Sequence, residues 1–271
     1  MLFKWVDHER LTRVEQLENI LYDLGIATSE QLMTITGMKH ENLRYHLHKI
    51  KNSGKDMLRV YYLPAKYGES KKAAYTLGLD AIRLVCQMRS APENAKVITS
   101  AMMSHHIGVN EILLRAKKHC DEQRITKIEW YGEKLCAELL YMELMEVNPE
   151  EANKPGFGRQ LRPDAKLKIA DLQFYCEFDN DTENPRRIEE KYRKYLELHE
   201  KLNFTYPILW VATHEKRRSM LESNWNSLLA SYSHLKSRPI SLFAVAGEEI
   251  KFYPYRKKQD KQSTNHQLTL G

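Results

Sequence analysis

Apolar residues in the first third of the chain recur every three or four positions, which is the spacing of one face of an α-helix. A first stripe of this kind covers residues 13–24 and ends at Gly25, a residue that commonly terminates helices. A shorter stripe over residues 29–35 begins after Thr28 or Ser29, and either side chain can cap a helix. The pattern therefore predicts a helix followed by a short second helix.

A third helix is predicted over about residues 40–52, after a turn at Gly37. Its two faces differ, since apolar residues follow one stripe and basic or polar residues follow the other. The apolar face comprises Leu43, Leu47 and Ile50, and the outer face comprises Arg44, Tyr45, His46, His48, Lys49 and Lys51. A helix with this division packs on one side and offers cationic side chains on the other.

Strand-like residues 57–63 and 73–77 follow the basic helix and flank a polar, lysine-rich tip over residues 64–72. A helix over about residues 79–88 comes next. This order of helix, short helix, glycine turn, basic helix and hairpin is typical of a winged helix-turn-helix, which we assign to residues 1–90.

Positive charge is concentrated in this part of the chain. The segment 39–72 contains nine Lys or Arg residues and only three acidic residues, whereas the whole chain has a net charge of +6. We expect the third helix to enter the major groove of double-stranded DNA and the hairpin tip to contact the phosphate backbone. The predicted DNA contacts are Arg44, His46, Lys49, Lys51, Lys66, Lys71 and Lys72. The alternative is a winged helix that pairs with another protein.

A small, polar segment with one proline, residues 90–94, predicts a boundary before a second domain over residues 95–250. There a helix begins near Ser104, and later segments alternate between strand-like and helical patterns. Such an order predicts a mixed sheet flanked by helices, and hence an α+β fold for the chain. Residues 251–271 are basic and are expected to form a flexible tail.

Two short strands joined at Ala170-Asp171 carry the acidic residues of greatest interest. Strand alternation places Glu177 and Asp179 on one face of the second strand, and Asp164 begins the first strand. Three converging carboxylates would require a cation between them, and oxygen-rich sites favour Mg²⁺ or Mn²⁺. We therefore predict a metal site formed by Asp164, Glu177 and Asp179.

The helix that follows begins near Pro185 and carries Arg187, Lys191 and Tyr195 on one face. If this face meets the carboxylates, Lys191 can orient an attacking water or neutralise charge, which makes Lys191 the fourth predicted catalytic residue. Glu133 or Glu111 is a candidate for a further acid. The alternative is an acidic strand edge whose ion-pair partners are Arg162 and Arg187.

The adjacent residues His105 and His106 are expected to begin a helix with one ring packed and the other capping or solvated. Neighbouring helix positions point to different sides, so both histidines cannot bind one metal ion in the usual way. The four cysteines are widely spaced and contain no Cys-x-x-Cys pair, so buried free thiols are expected.

The pair Pro163-Asp164, followed by Glu177 and Asp179 on the next strand, resembles the core of the PD-(D/E)XK nuclease superfamily. In that superfamily an aspartate and a second acid hold the metal, and a lysine commonly lies two residues after the second acid. Here that position is Asp179, which leaves Lys191 as the nearest candidate. A degenerate nuclease fold that only binds DNA is therefore an alternative to an active enzyme.

The wider arrangement resembles the plasmid replication-relaxation family. The motifs that carry the resemblance are the N-terminal helix-turn-helix, His105-His106 with Val109-Asn110, Trp130-x-x-Glu133, Arg162-Pro-Asp-Ala165, Glu177-Phe-Asp-x-x-Thr-Glu183, and Lys191 with Tyr195. It implies a protein that processes plasmid or mobile-element DNA during replication or transfer.

Two functions follow as expectations: a metal-dependent nuclease or nickase targeted by the winged helix, and a non-catalytic DNA-binding regulator or accessory protein. Covalent relaxase chemistry is disfavoured, because the usual cluster of three metal-binding histidines is missing. The charged content of 29% and the short apolar runs predict no membrane span, and the charged N-terminus does not resemble a signal peptide. A cytoplasmic protein is expected, with a homodimer as a candidate assembly.

Overall fold

The computed structural model describes residues 10–64, 71–90, 97–154, 161–182, 184–202, 206–235 and 238–254. Among these residues, four helices and three short strands form an N-terminal unit. Its elements are α1 (Arg13–Leu24), β1 (Ile26–Thr28), α2 (Ser29–Thr36), α3 (His40–Lys51), β2 (Leu58–Tyr62), β3 (Ala73–Leu77) and α4 (Leu79–Met88).

In the described ranges, the C-terminal unit contains five strands and five helices, with short 3₁₀ turns over residues 100–102 and 249–252. Its helices are α5 (Met103–Gln123), α6 (Glu133–Val147), α7 (Pro149–Ala152), α8 (Pro185–Leu202) and α9 (Glu215–Ala230). Its strands are β4 (Ile128–Gly132), β5 (Ala165–Ile169), β6 (Leu172–Asp179), β7 (Ile208–Ala212) and β8 (Ser241–Val245). The chain is therefore an α+β protein, as the sequence predicted.

Two sheets organise these elements. The smaller is antiparallel with the order β1-β3-β2, so the hairpin β2–β3 follows α3 directly. The larger has the order β4-β5-β6-β7-β8, with antiparallel pairing from β4 to β6 and parallel pairing from β6 to β8. The parallel pairs require crossovers, which α8 and α9 supply.

Local signals in the sequence account for several boundaries. Thr28 accepts a hydrogen bond from the backbone N–H of Gln31, and the Gln31 side chain accepts one from the Thr28 N–H, which closes a capping box at the start of α2. Gly37 ends α2 in the left-handed conformation, with φ of 69°. The hairpin turn at Ala170-Asp171 connects β5 to β6 as predicted.

Three expectations need correction. The three-residue strand β1 was not predicted, because its residues are too few to show alternation and it forms only by pairing with β3. Helix α7 was not predicted either, because it is a single turn inside a polar segment, and the Asn148 side chain caps it. The flexible tail was predicted to begin at residue 251, but Tyr253 is buried in the core. The carbonyl oxygen of Pro254 also lies 2.9 Å from Nε2 of His119.

One continuous core joins the two units. The same apolar cluster contains Leu17 and Leu47 from the N-terminal unit, Ile112 from α5 and Phe178 from β6. Helix α5 lies between the units and approaches both closely. A Cβ atom added at Gly108 would lie 2.1 Å from the Phe178 ring, so only glycine permits this approach of α5 to β6.

Polar contacts cross the same boundary. The Asn110 amide of α5 donates a 2.7 Å hydrogen bond to the carbonyl oxygen of Ile26, and the Gln31 amide donates to the Ile107 carbonyl and to Glu111. Arg89 forms a buried ion pair with Asp23 inside the N-terminal unit. The two units on either side of residues 90–94 therefore differ in their secondary structure but share one apolar core.

All four cysteines are free and buried, as expected. No helix in the described ranges has both the length and the apolar character needed to cross a membrane.

Candidate functional site

The first candidate site is the solvent face of α3. Leu43, Leu47 and Ile50 are buried against the core, which confirms the predicted inner face. The outer face is exposed and comprises Arg44, Tyr45, His48, Lys49 and Lys51. Three of these residues, Arg44, Lys49 and Lys51, are cations, and none of the three forms an ion pair with a described residue. Because their charges are not neutralised locally, they remain available to an anionic partner.

The other predicted DNA contacts differ in their surroundings. His46 was predicted to lie on the exposed face, but its side chain is half-buried. Its Nδ1 atom is shielded from water and forms no hydrogen bond with a described residue. Lys71 is exposed, and Lys72 forms an exposed 3.0 Å ion pair with Glu30. Lys66 lies outside the described residues. The cationic face of α3 is therefore defined by Arg44, Lys49 and Lys51.

The second candidate site is a buried group of charges at the C-terminal unit, centred on Asp164. Its Oδ2 accepts a 2.7 Å hydrogen bond from the Phe178 backbone N–H, and its Oδ1 lies 3.1 Å from Nε2 of His105. The first contact arises because Asp164 immediately precedes β5, which pairs with β6. The second arises because α5 crosses that end of the sheet with His105 in its first turn.

Glu177 of β6 lies in the same group. Lys191 Nζ donates to its Oε2 at 2.7 Å, and the Tyr195 hydroxyl donates to its Oε1 at 2.6 Å. Lys191 and Tyr195 are one helical turn apart on α8, so the predicted helix face does meet the carboxylate. The Glu177 side chain is 1% exposed, while 20% of Lys191 remains accessible.

Asp179 does not join this group. The Arg217 guanidinium of α9 donates to both Asp179 oxygens, at 2.9 Å to Oδ2 and 3.1 Å to Oδ1. Glu177 and Asp179 do share the face of β6 that the alternation predicted. However, α8 covers Glu177 whereas α9 covers Asp179, so the expected convergence of three carboxylates is wrong.

Burial and neighbouring charges act in opposite directions on the pKa values of this group. Burial and the nearby Asp164 carboxylate raise the pKa of Glu177, although Lys191 and Tyr195 oppose the rise. Burial also disfavours charge on Asp164, but Lys191, His105 and the Phe178 N–H outweigh it and hold its pKa below the ordinary value. Burial lowers the pKa of His105, but Asp164 more than compensates and raises it. Both shifts favour the charged forms of Asp164 and His105.

His105 was not predicted to take part in this site. Its neighbour His106 is buried, as one of the two rings was expected to be, while 26% of the His105 side chain is accessible beside Asp164. Arg217 was also missed. The sequence offers no signal for either contact, because each joins residues on elements that are far apart along the chain.

The remaining predictions have separate positions. Glu133 begins α6 and lines a small cavity that Asp164 also lines, whereas Glu111 accepts a hydrogen bond from Gln31. Arg162 and Arg187 are exposed, and neither forms an ion pair with a described residue. The structure therefore gives Asp164 and Glu177 the partners His105 and Lys191 instead of the two arginines.

Within the described ranges, no three His, Cys, Asp or Glu side chains are grouped so that they could hold a metal ion. Asp164 and Glu177 nevertheless supply the carboxylate oxygens that Mg²⁺ and Mn²⁺ prefer, and Mg²⁺ is commonly held by one or two carboxylates with water and phosphate. Asp179 is held by Arg217 apart from these two carboxylates, and a metal ion bound by Asp164 and Glu177 would have to replace the contacts that they make with His105 and Lys191. A metal at this site would therefore rely on Asp164 and Glu177.

The fold therefore combines an N-terminal unit that carries an exposed cationic helix with a mixed-sheet unit that carries a buried charged group. A family model described as replication-relaxation matches residues 19–206, which covers more than half of the chain. The chain therefore belongs to the replication-relaxation family. No curated protein and no solved structure matches it. Family membership indicates a function related to the replication of plasmid or mobile-element DNA.

Proposed function

We propose that this protein binds double-stranded DNA of a plasmid or mobile element through the cationic face of α3. The proposal is carried by one helix whose inner face is buried in the core and whose outer face has an exposed tyrosine and three cations without an ion-pair partner among the described residues. A helix of this kind fits the major groove, where Arg and Lys side chains contact bases and phosphates. Lys71 is placed to add a backbone contact from the hairpin.

Salt titration of DNA binding tests this proposal. The variant R44A/K49A/K51A should bind a duplex of about 40 base pairs more weakly, and the slope of log affinity against log salt should fall by up to about 2.7, since each lost phosphate contact contributes about 0.9. A control variant, K127A/K154A/R193A, removes three cations that are exposed and already paired with carboxylates. Equal slopes for the wild type and the α3 variant would contradict the proposal.

A second candidate function, cleavage of a DNA strand, is favoured by one observation. Asp164 and Glu177 meet in one charged group with Lys191 and His105, and both cations retain partial access to solvent. When bound by the two carboxylates, Mg²⁺ or Mn²⁺ would activate water and neutralise charge on a phosphate. Lys191 would orient the phosphate or the water, Tyr195 would hold Glu177, and His105 would hold Asp164.

Nicking of supercoiled plasmid separates this candidate from a non-catalytic role. Purified protein should produce nicked circles with Mg²⁺ or Mn²⁺, and Asp164→Asn should abolish the product while keeping the size of the side chain. Asp171→Asn is the matched control, because Asp171 lies in the turn of the same hairpin with its side chain 98% exposed. No nicking with either metal on a plasmid that the protein binds would leave DNA binding as the function.

A further inference from the structure

Two arginines beside the Asp164–Glu177 group have no carboxylate partner among the described residues. Arg162 lies two residues before Asp164, and Arg187 lies one helical turn before Lys191 on α8. Both side chains are exposed. In contrast, Arg217 and Lys191 are each engaged by a carboxylate of β6.

The position of Arg162 follows from the residues around it. Leu161 and Pro163 are buried, whereas Arg162 between them is exposed, so its side chain leaves the surface of the core. Leu161 belongs to the same apolar cluster as Ile188 and Tyr192 of α8. Asp164 lies close enough to Lys191 for their charges to interact. Arg162, two residues before Asp164, and Arg187, one turn before Lys191, therefore lie on the two segments that meet at this charged group.

Charge spacing along α8 distinguishes Arg187 from its neighbours. Arg186 pairs with Glu190 and Arg193 pairs with Glu189, both at a separation of four residues. Arg187 instead has Lys191 four residues later. A like-charged pair at that spacing does not stabilise a helix. Glu190, three residues after Arg187, pairs with Arg186 instead, so Arg187 has no ion-pair partner among the described residues and is accessible to an anion.

We propose that Arg162 and Arg187 form a second DNA contact, in which their guanidinium groups hold backbone phosphates at the entrance to the Asp164–Glu177 group. This inference rests on the proposed binding of DNA. Guanidinium groups bind phosphate through two parallel hydrogen bonds, and they keep their charge at every pH at which the protein is folded. Because α5 and the shared core join the two units, this contact lies at a set distance from α3, and bound DNA engages both units of the protein.

The experiment compares the salt dependence of binding for the full-length protein and the variant R162A/R187A on a random-sequence duplex of about 40 base pairs. Loss of two phosphate contacts should lower the slope of log affinity against log salt by about 1.8. The matched control, R186A/R193A, removes two cations of α8 that already have carboxylate partners. Its slope should stay close to that of the wild type.

A smaller slope for R162A/R187A, with an unchanged unfolding midpoint and an unchanged control, supports the second contact. Equal slopes for R162A/R187A and the wild type would overturn it, while a weakened R44A/K49A/K51A variant would leave the proposed function standing. If the wild-type protein bound no duplex in a salt-dependent way, both the proposed function and the second contact would be contradicted. An equal loss in R162A/R187A and the control would also overturn the inference, since net charge alone would then explain it.

Discussion

The charges of α3 and the charges around Asp164 and Asp179 are arranged in opposite ways. On α3, the cations are exposed and have no carboxylate partner in the part of the chain that the structure describes, while leucine and isoleucine side chains on the opposite face are buried. In the C-terminal unit, carboxylates are buried and each is held by a cation and further hydrogen bonds. Exposed charge costs little to maintain and acts at long range, whereas buried charge must be matched locally.

This difference separates two uses of charged residues within one protein. Removal of an α3 cation should change the interaction with DNA and leave the fold intact. Removal of a buried partner should destabilise the fold, because the remaining charge stays in a poorly solvated position. Variants that change one kind of charge at a time can test the distinction.

The largest effect is expected for Arg217→Ala. This substitution leaves the buried Asp179 carboxylate without the two guanidinium hydrogen bonds, and loss of one partner from a buried pair typically lowers the free energy of unfolding by about 3–5 kcal/mol. Urea denaturation followed by circular dichroism measures the change. Arg186→Ala is the control, since its pair with Glu190 is exposed and should contribute less than about 1 kcal/mol. A similar small loss for both variants would contradict the comparison.

An intermediate effect is expected for Glu18→Gln in α1. Glu18 is a buried acid, and burial followed by the charge of Glu15 raises its pKa to about 7. A raised pKa in the folded state means that the stabilisation is present below the ordinary value of 4.5 and is lost as the pH rises through about 7. At about pH 8 the glutamine variant should therefore be more stable than the wild type by roughly 1–3 kcal/mol.

Unfolding free energies measured from about pH 4 to pH 8 test this expectation for Glu18. The advantage of the variant over the wild type should grow between pH 4.5 and about 7 and then level off. Glu15→Gln is not a suitable control, because Glu15 completes the capping box of α1 with Thr12. Glu30→Gln is preferable, since Glu30 is exposed on α2. If the difference in unfolding free energy between Glu18→Gln and the wild type did not change with pH, the raised pKa of Glu18 would be contradicted.

The smallest effect on stability is expected for Lys49→Ala on α3. Lys49 is exposed and has no ion-pair partner among the described residues, so its loss should change the free energy of unfolding by less than about 0.5 kcal/mol. The same substitution should lower the salt slope of DNA binding by up to about 0.9. A large loss of stability would show that Lys49 supports the fold. An unchanged salt slope would show that Lys49 does not contact DNA.

Much of the fold could be read from periodicity. The three N-terminal helices, the hairpin β5–β6 and helix α8 follow apolar spacing, turn residues and caps, which are local signals. Elements that depend on a distant partner were missed. Strand β1 has only three residues and exists because β3 pairs with it, and α7 is a single turn inside a polar segment.

The candidate sites were predictable to different degrees for the same reason. The cationic face of α3 follows from helical spacing within twelve residues, so its exposed cations could be named directly. His46 was the exception, because the edge of a helix face is decided by the packing around it. Lys191 was expected to reach the carboxylates only if its helix face met them, and the structure pairs it with Glu177. The contacts of His105 and Arg217 were not, because they depend on how α5 and α9 lie against the sheet.

The sequence by itself determined most of the helices and strands, which face of α3 is cationic, and which face of β6 carries Glu177 and Asp179. Those properties depend on the repeat of the backbone. Only the tertiary structure decided that Glu177 meets Lys191 while Asp179 meets Arg217, and that His105 pairs with Asp164. The reason is physical: the backbone repeat sets the direction of a side chain, but packing of distant elements determines which charge it meets and whether water can reach it.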